Sequence, residues 1–125
     1  MRSYNPSKTP NRREWLALDE GERLRLTREF HRSHGEFGGL LDSHAAIHAA
    51  VETQIAMDTP NVSAALDRLQ KQGLNRHDSV HAIGSILAEH MHELLRSDQP
   101  ATEDANDRYY EKLSKFNAED WLGDT

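Results

Sequence analysis

Four of the eight histidines in this 125-residue chain stand in two pairs four residues apart, His44 with His48 and His77 with His81. On an α-helix such partners share one face, about 6 Å apart along the axis, so both rings can reach one ion. Imidazole nitrogens bind zinc at about 2.0–2.1 Å. Nitrogen-rich ligation suits zinc, iron, nickel or copper rather than magnesium or calcium. The two pairs are therefore candidate ligands of a transition-metal ion, zinc first. Glu52 extends the first pair to H-x3-H-x3-E. It is the candidate for a further ligand, for a catalytic general base, or for a group orienting a histidine ring. The chain has no cysteine, which excludes thiolate ligation and disulfides alike.

Other metal patterns fail. The metalloprotease form HExxH is absent, because Ala45 follows His44 and Asp78 follows His77. Glu89-x-x-His92 has the form of half a di-iron motif, but no second copy exists. By helical phase His92 lies nearer the histidine face than His90. No Ser-His-Asp set, Gly-rich phosphate loop or nucleotide fingerprint is present.

The elements that must position these histidines are helical. A first helix is expected over about 14–33, with Asp19 and Glu22 as a capping-box variant and Gly35, Gly38 and Gly39 as breakers. A second, about 43–57, is capped by Asp42 or Ser43 and carries Ile47, Val51 and Ile55 beside His44 and His48. Thr59-Pro60-Asn61 separates it from a third, about 62–72, which Gly73 ends. Asn75 caps a fourth, about 76–97, and a fifth runs over about 103–116. No strand-like alternation appears. The expected fold is all-α, a compact antiparallel bundle of four to five helices. Residues 1–13 are expected to be a flexible arm, 14–116 the helical domain and 117–125 a C-terminal tail. If the second, third and fourth helices alternate in direction, both histidine pairs start their helices at the same end of the bundle.

Composition limits the rest. Leu, Ile, Val and Phe number 24 of 125, near the level at which a chain struggles to bury a core. A metal or a second copy of the chain would compensate, so a homodimer is a natural partner state. The net charge of −6 argues against nucleic acid as partner, and no stretch is apolar enough to span a membrane. Met1–Arg13 is polar and lacks the apolar stretch of a secretory signal, which points to the cytoplasm. The arginines from Arg23 to Arg32 are diluted by Glu20, Glu22 and Glu29 and read as a solvated face.

The segment HAAIHAAVETQIAMDTP followed by RHDSVHAIGSIL resembles a bacterial family of uncharacterised proteins, a domain of unknown function. The resemblance rests on His44, His48, Glu52, Gln54, Asp58 and Pro60, then His77, His81 and Gly84, within about 43–95. It implies a bacterial cytoplasmic origin and functional weight at these positions, and it supplies no reaction. Two functional readings stay open. One is a metal-binding bundle able to hydrolyse an anionic substrate. The other is a non-catalytic interaction or regulatory module with a polar histidine core.

Overall fold

The computed structural model describes residues 1–35, 39–96 and 103–123. They form seven helices and no strand among the described residues: α1 Arg12–Ala17, α2 Glu20–Ser33, α3 Gly39–Ala56, α4 Pro60–Lys71, α5 Arg76–Arg96, α6 Glu103–Lys115 and α7 Ala118–Gly123. The all-α expectation holds.

Local sequence explains most boundaries. Asp19 accepts a hydrogen bond from the Glu22 backbone N–H at 2.8 Å, so it starts a helix. The single helix expected over 14–33 is therefore two, broken at extended Leu18 just before this cap. Asn75 caps α5 through the Asp78 N–H at 2.7 Å. Gly73, with φ 107°, closes α4; the Leu74 N–H reaches the Leu69 carbonyl at 3.1 Å, a six-residue closure that needs a left-handed residue. The expected start of the second helix at Ser43 is corrected to Gly39, which puts His44 in the second turn rather than the first.

Both ends differ from expectation. The arm is anchored: Tyr4 and Pro6 are buried, and the Pro6 carbonyl accepts a hydrogen bond from Arg76 at 2.9 Å. The expected tail carries α7, whose Ala118 is buried. Arg68 holds the end of α6 by donating to the Leu113 and Phe116 carbonyls.

Two apolar clusters flank the centre. The larger joins Val51, Val62, Leu69, Val80, Ile83 and Leu113, from α3 to α6. The smaller joins Tyr4, Trp15, Leu26 and Ala56. Helix α3 belongs to both, because successive faces of one helix meet different neighbours. Between those faces runs the line His44, His48, Glu52.

The directions of α3 and α5 correct a second expectation. Glu52 pairs with Arg76, His48 lies beside His77 and His81, His44 lies beside His81, and Ile47 lies beside Gly84. Numbers fall along α3 as they rise along α5, so the two run antiparallel. The histidine pairs meet by crossing, the start of α5 lying against the later half of α3.

Candidate metal centre

Three helices bring imidazoles together. Helix α2 supplies His31, α3 supplies His44 and His48, and α5 supplies His81. One candidate ligand atom from each of these four lies within 4.8 Å of the other three. Ring centroids are 4.3 Å apart for His31–His44, 4.5 Å for His31–His48, 4.5 Å for His48–His81 and 4.6 Å for His44–His81. His77 stands at the edge, 4.6 Å from His81 and 5.9 Å from His48, outside the group of four.

Three of the four histidines singled out from sequence thus converge, joined by His31 rather than His77. The sequence does carry a signal for His31. Thr27 and His31 are four residues apart on α2, with Leu26 and Phe30 beside them, and this is the buried stripe of that helix.

Two of the rings, His31 and His48, are oriented by one nitrogen. His31 Nδ1 lies 2.6 Å from the Thr27 carbonyl, so that N–H donates there and Nε2 keeps the electron pair. Thr27 is itself tied to α3 by a 3.0 Å hydrogen bond from its hydroxyl to the Ala45 carbonyl. His48 Nδ1 lies 3.3 Å from the Tyr4 hydroxyl. That hydroxyl donates to Glu52 Oε2, so its oxygen accepts the His48 Nδ1–H. The opposite nitrogen, His48 Nε2, is buried and has no hydrogen-bond partner among the described residues. His44 Nε2 and His81 Nδ1 face each other at 3.3 Å.

Glu52 sits behind this cluster. Arg76 grips it with two hydrogen bonds, Nη1 to Oε2 at 2.8 Å and Nη2 to Oε1 at 2.7 Å, and both side chains are almost fully buried. Burial works against the Arg76 charge, yet the hydrogen bonds and field of Glu52 outweigh it and raise its pKa. Burial, then the Glu52 charge, raise the Tyr4 hydroxyl far above its ordinary value, so it stays a donor. Glu52 therefore touches a histidine through Tyr4. Its oxygens are engaged by Arg76 and Tyr4.

His48, His81 and His77 are held toward the neutral form. Burial, followed by the nearby His81, His31, His44 and His77, pushes His48 down to about 2. Burial and its histidine neighbours push His81 down to about 4. His77 is also lowered, mainly by burial and despite Asp78. Neutral imidazole is the form that ligates a metal.

Residues outside the cluster have other roles. His92 is exposed, with its Nε2 2.6 Å from Arg96, whereas His90 is buried on another face of α5 and stacks on Tyr109 at 5.6 Å, so neither is among the four that converge. Gln54 accepts the Tyr109 hydroxyl at 2.8 Å, and Asp58 ends α3 with φ 55°. Arg25 lies between Glu22 and Glu29, and Arg28 pairs with Asp42. No helix among the described residues is long and apolar enough to cross a membrane.

Fold and site together define an all-helical protein with a buried histidine cluster backed by a carboxylate–arginine pair. A family model for a domain of unknown function (DUF1841) matches residues 11–115, and the chain belongs to that family. Comparison with curated proteins and with solved structures yields no match.

Proposed function

We propose that this chain binds one transition-metal ion through His31, His44, His48 and His81, with zinc the first choice and iron, nickel or copper compatible with the same donors. The observation that carries the reading is the convergence of four ligand atoms, from three helices, within 4.8 Å. Two nitrogens bound to one tetrahedral zinc stand about 3.3–3.4 Å apart, given a bond of about 2.0–2.1 Å. The His44 Nε2 to His81 Nδ1 separation of 3.3 Å already has that value. The buried, partnerless His48 Nε2 adds a second reason, since a buried polar atom without a partner costs about 1–3 kcal/mol that an ion would relieve.

Glu52 acts in this reading as a positioning residue. Through Tyr4 it fixes the His48 tautomer, as carboxylates behind metal-bound histidines do. Hydrolysis needs a base beside the metal, and with Glu52 engaged we propose metal binding without assigning it hydrolysis.

A second reading has one observation in its favour. The contact between His44 and His81 is also a hydrogen bond, so the imidazoles partly satisfy one another, as a metal-free polar core would. Elemental analysis of untagged protein, purified without a metal column, separates the two. The expected result is close to one ion per chain, with a lower melting temperature after chelation. Substoichiometric metal with unchanged melting on chelation would leave only the polar core.

A further inference from the structure

One face of the histidine cluster opens to a cleft. A cavity of about 400 Å³ is bordered by His44, His48 and His81. Ile47, Gly84, Ala88 and Trp121 form much of the remaining wall, with Ser43 and Ser85 also lining it. Helices α3, α5 and α7 all contribute. The volume lies in the range that holds a small molecule.

The chemistry of this cleft is lopsided. Among the described residues lining it there is no Lys, Arg, Asp or Glu. Its body is apolar, and its polar groups are the histidine edge and two serine hydroxyls. Imidazole ligates a metal in its neutral form, so four such ligands would not cancel the positive charge of a bound ion. The nearest buried carboxylate, Glu52, is already neutralised by Arg76. An uncompensated dication in a poorly polar surrounding attracts an anionic donor strongly. A phosphate or dicarboxylate would press further oxygens against the apolar wall, where only the two serine hydroxyls offer hydrogen bonds.

We propose that the cleft between α3, α5 and α7 admits a small monoanion with an apolar body, whose single anionic donor reaches the metal past His44 and His81 as a fifth ligand while its body lies against Ile47, Ala88 and Trp121. The inference rests on the metal reading above. It adds the ligand class and the direction of approach.

The test uses protein loaded with cobalt(II), whose visible absorption reports coordination, with metal content measured alongside. Benzoate is the probe; acetate and inorganic phosphate are the comparisons. Benzoate is expected to shift the cobalt bands at a concentration at least about tenfold lower than acetate or phosphate, because only its ring buries apolar area. Ala88 is exposed and is no metal ligand, so Ala88→Leu narrows the cleft without touching the cluster. That variant is expected to keep its cobalt and its acetate response, and to bind benzoate about tenfold more weakly. Failure of the wild-type protein to hold cobalt overturns the metal reading and this inference with it. Cobalt bound normally, with bands that benzoate does not move, overturns this inference alone. So does an acetate or phosphate response as strong as that of benzoate, or unchanged benzoate binding by Ala88→Leu.

Discussion

Arg76 and Glu52 meet in a two-pronged ion pair, 2.8 and 2.7 Å, with side chains 6% and 0% exposed. The pair joins the first turn of α5 to the later half of α3, and Arg76 also holds the Pro6 carbonyl. It therefore ties three segments at the back of the histidine cluster. Breaking a buried pair from one side leaves a charge without a partner and costs about 3–5 kcal/mol. Arg76→Leu is expected to lose that much stability in urea unfolding. Glu52→Leu with Arg76→Leu should recover most of it, since two apolar side chains leave no orphan charge. A double variant as unstable as the single one would contradict this expectation.

Tyr4→Phe tests the link from that pair to the metal site. The ring still packs against Trp15 at 5.7 Å and Phe30 at 5.9 Å, so the fold should persist with a loss of about 1–2 kcal/mol. The His48 Nδ1–H loses its acceptor. Metal affinity is expected to fall about 10–100-fold, the usual effect of removing a group that orients a metal-bound histidine. Competition with a chelator of known affinity reads this directly, and unchanged affinity would detach Tyr4 and Glu52 from the site.

His31→Ala and His77→Ala separate the spatial ligand set from the one suggested by sequence spacing. The first variant is expected to lose most of its metal and the second to retain it, by elemental analysis of matched preparations. The opposite pattern would restore the two i, i+4 pairs as the ligands.

Stability of the metal-free protein should fall in acid. An unfolded histidine takes a proton near 6.5, whereas folded His48 resists until about 2 and folded His81 until about 4. Below 6.5 the unfolded chain thus binds more protons than the folded one, and folding loses up to ~1.4 kcal/mol per pH unit for each such proton. The contribution of these residues is complete above about 6.5. That of His81 is gone near 4, while that of His48 goes on falling toward 2. Urea midpoints taken from pH 8 down to about 4.5 check the sign. A flat profile would mean that the histidines do not stay neutral in the fold.

At Gly84 helix α5 passes close to α3. A Cβ there would lie 2.9 Å from Ile47 Cγ2, a branched group with little freedom to retreat. Gly84→Ala gains about 1 kcal/mol of helix propensity and suffers overpacking of about 1–3 kcal/mol. The net expectation is a loss of about 1 kcal/mol in thermal or urea unfolding. Gly84→Val should lose more.

The helices are largely legible in the sequence because their signals are local. Asp19, Asn75, Pro60 and Gly73 act within a turn of themselves, and His44, His48 and Glu52 share a face by helical pitch alone. The break at Leu18 is harder to read because the apolar pattern continues across it, although the cap that enforces it is visible. The sequence by itself therefore determined an all-helical chain and the two histidine pairs. It did not determine which faces meet. Only the tertiary structure ran α3 and α5 antiparallel, brought in His31 from α2 and left His77 at the rim. It also gave Glu52 partners 24 and 48 residues away, Arg76 and Tyr4. The reason is physical: pitch sets which residues share a stripe, but loop paths and the competition of two apolar clusters for α3 decide what that stripe is pressed against.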